Sequence, residues 1–323
     1  MQLQNIPLGE SMGVVLDTKE VEIRNVYAPY NPSIVAKGDG NYWVFFRYDV
    51  IDPDCPRDFY TNVGVAELDA NFDQTSKEFH RIDLQSDFAE DPRVSWVGDK
   101  LFMTFNMPVS PVSDRRSMHL AQLNTIDLQP IYIRQMDLQL QHLEKNWVPF
   151  AYQGNLMYEY HLYPHTIFKV EDPRQGDIEH VVYPNVVNFP KPNWPKEWGS
   201  LRGGTPAIEV DGEYIALFHS MFKDAESQAW YVMGGYTFEN KPPFHMTSVS
   251  NYPIFYDGIF STPIRNTAPK TSRITYPSGI AAGKKDGRDV LFVSCGENDS
   301  TIKIITLDRE AFLKSLKPIK RKK

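Results

Sequence analysis

A five-fold internal repeat is the feature of this sequence that most restricts its fold. Each copy opens with a proline and a short apolar strand, continues through a turn rich in glycine, aspartate or asparagine, and ends in a second apolar strand. Two apolar strands around such a turn are typical of a β-hairpin. The opening prolines lie 60, 57, 57 and 71 residues apart, and they are Pro32, Pro92, Pro149, Pro206 and Pro277.

A third apolar strand follows each hairpin, so every copy forms a small sheet. These strands lie at residues 63–68, 118–123, 166–170, 230–238 and 301–307. Small sheets repeated around an axis form a β-propeller. The pattern therefore predicts an all-β, five-bladed β-propeller with a central channel active site. A solenoid or two β-sandwiches would use similar strands, but the common opening of the five copies favours the propeller.

The repeat covers nearly the whole chain, and we expect residues 1–323 to form a single domain. Residues 1–24 are expected to close the ring, with residues 12–16 as a strand of the last blade. Residues 309–323 are expected to form a short C-terminal helix and a basic tail.

Composition restricts the partners and the compartment. The formal net charge is −7, whereas nucleic-acid binding usually needs a basic surplus. The two cysteines form no CxxC pair, and the start of the sequence lacks the basic and apolar regions of a signal peptide. No apolar run approaches the roughly 18 residues of a membrane span. We expect a cytoplasmic protein that contacts neither nucleic acid nor membrane, and we leave open whether it is a homo-oligomer.

The blade openings predict where a functional site lies. If the first strand of each blade lines the channel, residues before each proline and residues that end the second strand meet at one mouth. These positions carry more charge than a β-scaffold requires. They are Asn31, Arg47, Asp91, Arg93, Asn106, Lys145, Asn146, Tyr160, Arg202, Thr205, His219, Glu297 and Asp299.

Asp91 is the strongest catalytic candidate in this set. Pro92 disfavours a helical backbone at Asp91, and a carboxyl group held rigidly at a channel mouth suits general acid catalysis. The alternative is a solvated Asp-Pro turn. The tetrapeptide Glu171-Asp172-Pro173-Arg174 repeats Glu90-Asp91-Pro92-Arg93 at a position that indicates a surface turn. The position of Asp91 at a blade opening, rather than the motif, therefore supports its role.

Three further segments suit anion or sugar binding, each with a plainer alternative. Gly203-Gly204 would let the backbone approach a ligand closely while Arg202 faces an oxyanion, or it is a simple turn. Lys145 would place a cation at the channel mouth, or it belongs to an ordinary loop. His219 ends an apolar strand, where a buried structural histidine is the commoner case. No HExxH or P-loop motif occurs, so we expect neither a metal nor another cofactor.

Five segments in order resemble glycoside hydrolase family 130, the β-mannoside-active five-bladed propellers, together with the related β-1,2-mannosyltransferase/phosphorylase group. The resemblance covers roughly residues 25–308. The segments are Asn31-Pro32 with Arg47, Glu90-Asp91-Pro92-Arg93, Lys145-Asn146 with Pro149, Gly203-Gly204-Thr205-Pro206 with His219 and Tyr231, and Gly296-Glu297-Asn298-Asp299.

The resemblance implies a role for most of these residues. Asp91 matches the catalytic acid of the family. Asn31, Arg47 and Asp299 match residues that hold the sugar, and Lys145, His219 and Tyr231 match phosphate-binding positions. By position alone we add Arg93 and Asn146 to the sugar-binding residues, and by charge and position we add Arg202 to the phosphate-binding residues.

Two departures from the family keep several activities open. Met157-Tyr158-Glu159-Tyr160-His161 stands where a His-Arg pair is expected, which weakens the case for phosphorolysis. Gly296-Glu297-Asn298-Asp299 stands where small residues usually precede the aspartate. The additional carboxylates, Glu159 and Glu297, would suit hydrolysis. We expect an inverting β-mannoside phosphorylase that uses inorganic phosphate as co-substrate and a mannose-containing oligosaccharide or sugar phosphate. The alternatives are a β-1,2-mannosyltransferase using a nucleotide sugar or mannose 1-phosphate, an inverting β-mannoside hydrolase, and a non-catalytic sugar-binding propeller. Catalysis requires a protonated Asp91, so we expect a raised pKa for this residue.

Overall fold

The computed structural model describes residues 13–180, 191–264 and 272–320. The strands form five sheets of antiparallel strands, and each sheet is one blade. The predicted all-β, five-bladed propeller is confirmed. The first strand of the chain, β1 (Val15–Val21), belongs to the last blade rather than the first.

The first three blades are continuous in sequence, and each has four strands. Blade 1 comprises β2 (Tyr30–Ala36), β3 (Tyr42–Ile51), β4 (Phe59–Leu68) and β5 (His80–Arg81). Blade 2 comprises β6 (Glu90–Val97), β7 (Lys100–Pro108), β8 (Arg116–Leu123) and β9 (Pro130–Gln135). Blade 3 comprises β10 (Val148–Tyr152), β11 (Asn155–Leu162), β12 (His165–Asp172) and β13 (Asp177–His180).

Blade 4 has an inner edge made of two short strands. It comprises β14 (Arg202–Gly203), β15 (Ile208–Val210), β16 (Glu213–Lys223), β17 (Ala229–Glu239) and β18 (Met246–Val249). Both β14 and β15 pair with β16. A 3-10 helix, Lys196–Trp198, precedes them.

The two ends of the chain complete blades 4 and 5. Blade 5 comprises β19 (Thr275–Lys285), β20 (Arg288–Glu297) and β21 (Thr301–Asp308), with β1 paired to β21 at its outer edge. The helix α1 (Arg309–Ser315) follows, capped by the side chain of Asp308, and β22 (Lys317–Pro318) pairs with β18. The expected strand at residues 12–16 therefore begins later. Residues 1–12 and 321–323 of the predicted terminal segments lie outside the described residues.

Apolar side chains fill the interfaces between neighbouring blades. One cluster, with Phe45 and Phe105 fully buried, lies between blades 1 and 2, and another around Trp147 lies between blades 2 and 3. Similar clusters join blades 3 and 4, blades 4 and 5, and blades 5 and 1. The polar residues of the inner strands are thus held on a ring of apolar contacts.

The prolines at the blade openings distort the inner strands at one end. The pairing of β2 with β3 shifts between Tyr30 and Ser33, and that of β6 with β7 shifts between Glu90 and Arg93. Proline has no N–H to donate to a strand ladder, so it occurs at such bulges. The residues before the two prolines, Asn31 and Asp91, have φ values of 45° and 55°. Asparagine and aspartate tolerate this left-handed backbone better than most residues.

Candidate active site

Asp91 lies at the centre of the polar network where the inner strands meet. Asp91 is only 8% exposed to solvent. One carboxylate oxygen, Oδ1, accepts a hydrogen bond of 2.8 Å from Asn31 Nδ2 and lies 3.5 Å from Arg47 Nη1. The other, Oδ2, lies 3.5 Å from the hydroxyl of Tyr276. The two carboxylate oxygens therefore have different surroundings.

The second copy of the tetrapeptide has none of these contacts. Asp172 ends β12, and its Oδ1 accepts a hydrogen bond of 2.9 Å from the backbone N–H of Arg174. The backbone carbonyl of Asp172 accepts from the N–H groups of Gln175 and Gly176. This copy is a local turn, as the sequence predicted.

Asn31 is fixed by the close approach of blade 5. A Cβ atom at position 296 would lie 2.5 Å from Asn31 Oδ1, so Gly296 is required there. Asn31 Oδ1 is buried without a hydrogen-bond partner among the described residues. Since buried polar groups are usually hydrogen-bonded, an unpartnered oxygen at this position is unusual.

Arg47 belongs to a network of charges beside Asp91. Its Nη2 lies 3.1 Å from Glu90 Oε1, and its guanidinium lies over the ring of Tyr30 at 4.8 Å. Glu90 also pairs with Arg116, which donates a hydrogen bond of 2.8 Å to Asn106 Oδ1. Glu90 and Arg116 were not among the predicted site residues. Arg47 is thereby held against Asp91 by a carboxylate that is itself shared between two arginines.

Arg93 is buried, with 1% exposure, and its hydrogen bonds go to neutral acceptors. It donates to the carbonyls of Gly203 and Gly204, to Asn146 Oδ1 at 3.4 Å and to the Tyr276 hydroxyl at 2.8 Å. Within the described residues it forms no ion pair. Its charge therefore contributes to a positive potential at the centre of the propeller.

Packing within the chain itself explains why glycine occupies positions 203 and 204. A Cβ at Gly203 would lie 2.1 Å from the carbonyl oxygen of Asn146, and one at Gly204 would lie 2.5 Å from that of Leu217. The close backbone approach that glycine permits is thus to the chain itself, and no ligand is needed to explain it. Thr205 is likewise structural, since its Oγ1 accepts from the N–H of Leu217.

The predicted phosphate-binding residues surround His219. Arg202 is paired with His219 where β14 meets β16. The ring of His219 lies 6.2 Å from the ring of Tyr231 and 4.7 Å from the ring of Tyr276. His219 is 2% exposed, and its Nδ1 has no hydrogen-bond partner among the described residues. Burial, reinforced by Arg93, Arg202 and Lys145, holds the pKa of His219 well below its usual range. A neutral imidazole at this position can donate a hydrogen bond to an anion or accept one from a protonated oxygen of the anion.

Lys145 and Arg202 line a cavity of about 340 Å³ beside this histidine. Lys145 is exposed and Arg202 is half-buried, and neither is ion-paired with a carboxylate in the described parts of the chain. Tyr160, at the position that departs from the family pattern, lines the same cavity and donates a hydrogen bond of 3.0 Å to Glu144. The cavity is therefore cationic without the expected arginine.

The cavity continues outward between blades 3 and 4. A second cavity of about 380 Å³ shares Tyr163 and Leu201 with it and is also lined by Lys191 and Lys196. We call the two together the basic cleft. Lys191 and Lys196 were not among the predicted site residues, because they lie outside the blade openings.

The expected raised pKa of Asp91 is wrong for the unliganded protein. Burial favours the protonated form, but Arg47, Arg93, the Asn31 hydrogen bond and Lys145 outweigh it and lower the pKa of Asp91. An anion bound beside Lys145 and Arg93 would oppose these cations and so favour the protonated acid.

The carboxylates proposed as alternative bases are occupied elsewhere. Glu159 is buried between blades 3 and 4, where it pairs with His165 and accepts from the Tyr236 hydroxyl at 2.5 Å. Glu297 accepts from Tyr256 at 2.6 Å and pairs with Lys303 at 2.9 Å. Both carboxylates are thus engaged by hydrogen bonds and ion pairs, which argues against either of them as a free base for hydrolysis.

Asp299 lies in the turn between β20 and β21, with a φ of 52°. The pairing of Glu297 with Thr275 places this turn at the same end of blade 5 as Tyr276. Asp299 is therefore at the mouth predicted for it.

Tyr276 is a central residue of the site that was not among the predicted residues. Its hydroxyl contacts Arg93, Asn146 and Asp91. It precedes Pro277 just as Asn31 and Asp91 precede their prolines. The position before a blade-opening proline therefore indicates Tyr276 as well. An aromatic residue beside an apolar strand is, however, typical of a hydrophobic core.

The described residues contain no group of three or more histidine, cysteine or carboxylate side chains that could hold a metal ion. Within the same residues, no helix has the length and apolar character needed to cross a membrane.

At the centre of the five-bladed propeller, a buried carboxyl group thus lies close to cations that have no carboxylate partner among the described residues. The family model described as β-1,4-mannooligosaccharide phosphorylase matches residues 4–316. The chain belongs to this family, glycoside hydrolase family 130, and the resemblance inferred from the sequence is confirmed.

Solved structures similar to the chain include two phosphorylases and a transferase. A β-1,2-mannobiose phosphorylase from Listeria innocua is 14% identical, with 95% of this chain and 97% of that chain covered and a TM-score of 0.59. A mannose phosphorylase from Leishmania mexicana, solved with a phosphate ion, is 17% identical, with 97% and 94% covered and a TM-score of 0.59. A GDP-Man-dependent mannosyltransferase from Leishmania mexicana is 12% identical, with 93% and 92% covered and a TM-score of 0.57. At these identities the similarity shows the fold. No curated protein matches the chain in sequence.

Proposed function

We propose that this protein is an inverting β-mannoside phosphorylase, which converts a β-mannoside and phosphate into α-mannose 1-phosphate and a shortened sugar. One observation carries the proposal. The buried acid Asp91 lies close to Arg93 and Lys145, and Arg202 lies with them around His219. These three cations have no carboxylate partner among the described residues. Such a site gathers an anionic nucleophile next to a proton donor.

The residues suggest how the step proceeds. Phosphate attacks the anomeric carbon from the face opposite the leaving sugar, while Asp91 donates a proton to the glycosidic oxygen. The C–O bond to the leaving sugar breaks as the C–O bond to phosphate forms. The proton that hydrogen phosphate loses replaces the one given by Asp91, so the reaction balances. Lys145, Arg202 and neutral His219 would hold the phosphate, and Asn31 and Arg47 would hold the mannosyl group.

The engagement of the two carboxylates proposed as bases for hydrolysis favours phosphate over water as nucleophile. An inverting hydrolase needs a second carboxylate to activate water. Glu159 and Glu297 are engaged by Tyr236, His165, Tyr256 and Lys303. Phosphate is already anionic and needs no such base.

Phosphate dependence is the direct test of this proposal. The purified protein is incubated with β-1,4-mannobiose or β-1,2-mannobiose, with and without phosphate, and the products are followed by mass spectrometry and NMR. We expect α-mannose 1-phosphate only when phosphate is present. Release of free mannose at equal rates in both conditions would instead identify a hydrolase.

A second function, mannosyl transfer from a nucleotide sugar, is favoured by the basic cleft. Inorganic phosphate would fill only the part beside Lys145 and Arg202, whereas Lys191, Lys196 and the half-exposed Tyr163 could contact a larger phosphate ester. The same assay with GDP-mannose and mannobiose tests this. Formation of a longer oligosaccharide would support transfer, and unchanged mannobiose would count against it.

A cytoplasmic location fits this chemistry. Both cysteines, Cys55 and Cys295, are buried free thiols. Reduced thiols persist in cytosolic proteins, and a sugar phosphate product would be retained there.

A further inference from the structure

Tyr276 joins three groups of the site through one hydroxyl. This oxygen lies 2.8 Å from Arg93 Nη2, 2.9 Å from Asn146 Oδ1 and 3.5 Å from Asp91 Oδ2. The residue is 7% exposed, and its ring packs against His219 at 4.7 Å. The side chain therefore has little freedom to move, except that the hydroxyl hydrogen can rotate about the C–O bond.

The chemistry of these neighbours fixes the direction of each hydrogen bond. A guanidinium only donates, so the hydroxyl accepts from Arg93. The amide oxygen of Asn146 and an ionised Asp91 only accept. Tyr276 has a single proton to offer to two acceptors, and Asn146 is the nearer one in this structure.

The donors around Asp91 also determine where a proton can reside. Oδ1 already faces two groups that only donate, Asn31 Nδ2 and Arg47 Nη1. A proton on Asp91 is therefore carried by Oδ2, the oxygen that faces Tyr276. Loss of that proton leaves Oδ2 in need of a new donor.

We propose that Tyr276 is a positioning residue whose hydroxyl donates to Asn146 while Asp91 is protonated and turns to Asp91 Oδ2 when the acid loses its proton. The inference rests on the proposed function, in which Asp91 gives its proton to the leaving sugar. No covalent bond to Tyr276 changes, and only its O–H bond rotates. The hydroxyl thus stabilises the carboxylate that forms as the glycosidic bond breaks.

Tyr276 keeps its own proton throughout. Burial raises the pKa of Tyr276 far above the physiological range, although Arg93 opposes the shift. The other charged or titratable groups around Asp91 are Arg47, Glu90, Arg93, Lys145 and His219. None of them contacts Oδ2 by a described hydrogen bond, so the Tyr276 hydroxyl is the one described hydrogen-bond donor to this oxygen, although its removal also ends the contacts with Arg93 and Asn146.

The test is the substitution Tyr276→Phe, read by the titration of Asp91 itself. Carboxyl-carbon NMR of the ligand-free protein gives this pKa, with the Asp91 signal assigned by its loss in Asp91→Asn. Because a hydrogen-bond donor to the carboxylate is removed, we expect the pKa of Asp91 to rise by roughly one unit. Asn146→Ala leaves Asp91 as the only acceptor for Tyr276, so it should lower the same pKa. A pKa unchanged in both variants would overturn the proposal.

Kinetics provide the second readout. Tyr276→Phe should lower kcat about 10- to 100-fold, as expected for loss of a hydrogen bond to a charged group. The acid must be protonated, so activity falls as pH rises through its pKa, and this limb should move to higher pH in the variant. A lower kcat with an unmoved limb, or a raised KM for phosphate alone, would contradict the proposal.

Tyr214→Phe is the matched control. Tyr214 is also buried, but its hydroxyl donates to the carbonyl of Ala151, away from Asp91. This variant should keep the Asp91 titration of the wild type. If the wild type shows no phosphorolysis, the proposed function fails while the NMR titration still tests Tyr276 separately. Far-UV circular dichroism of each variant confirms that it is folded.

Discussion

At the scale of single residues, two identical tetrapeptides acquire different properties from their surroundings. Asp91 lies between Asn31, Arg47 and Tyr276, whereas Asp172 contacts its own turn. The chemistry of Asp91 comes from residues 44 to 185 positions away in sequence. This makes the pair an internal control.

We expect Asp91→Asn to lower kcat by roughly 100-fold or more, because general acid catalysis typically contributes 10²–10⁴-fold. Asp172→Asn keeps the acceptor Oδ1 and should remain within about two-fold of wild type. Initial rates of mannobiose phosphorolysis measure both. Equal losses in the two variants would mean that Asp91 acts only through folding, and full activity of Asp91→Asn would remove it as the acid.

The same scale shows what a sequence pattern cannot supply. Glu159 and Glu297 were predicted to be available carboxylates, yet each is engaged by a partner on another strand. Strand alternation predicts which face a side chain takes, but not which group lies opposite. The lowered pKa of Asp91 was missed for the same reason, since Arg47 and Lys145 lie on neighbouring blades.

At the scale of elements, the inner edge of blade 4 is positioned by a glycine pair. β14 approaches the segment before β10 so closely that only glycine fits at position 203. The approach also presents the carbonyl of Gly203 to Arg93. The spacing of the site therefore depends on a backbone contact between two blades.

Gly203→Ala should push β14 away from Asn146 and lower the free energy of unfolding by about 1–3 kcal/mol, the usual cost of overpacking. Because Arg93 and Asn146 move with it, activity should fall as well. Urea unfolding and phosphorolysis rates measure the two effects.

Gly40→Ala is the control for this substitution. Nothing lies within 4 Å of its added Cβ, and its φ of 89° leaves only backbone strain. We expect a loss of about 1 kcal/mol with unchanged kcat. Wild-type activity in Gly203→Ala would show that this contact does not position the site.

At the scale of the whole molecule, the repeat was sufficient to predict the five blades. Periodic prolines and turns are local signals, and the hairpins of each blade form from residues close in sequence. The strand that closes the ring was harder to predict, because β1 pairs with β21 across almost the entire chain. The sequence indicated a strand near the start of the chain but not its register.

The pairing of β1 with β21 should make the unfolding of the ring cooperative. Val21 is buried between blades 5 and 1, whereas Leu16 on the same strand is 37% exposed. Val21→Asp buries an unpaired carboxylate and should cost about 3 kcal/mol or more, while Leu16→Asp should cost less than about 1 kcal/mol.

Tryptophan fluorescence reports whether the destabilisation caused by Val21→Asp extends to the other blades. The six tryptophans, at positions 43, 96, 147, 194, 198 and 230, all lie outside the strands of blade 5. If closure couples the blades, Val21→Asp shifts the urea midpoint of the tryptophan signal as far as that of far-UV circular dichroism. A tryptophan transition that stays at the wild-type midpoint would mean that blade 5 opens alone. The central site, which takes residues from all five blades, would then depend on local contacts rather than on ring closure.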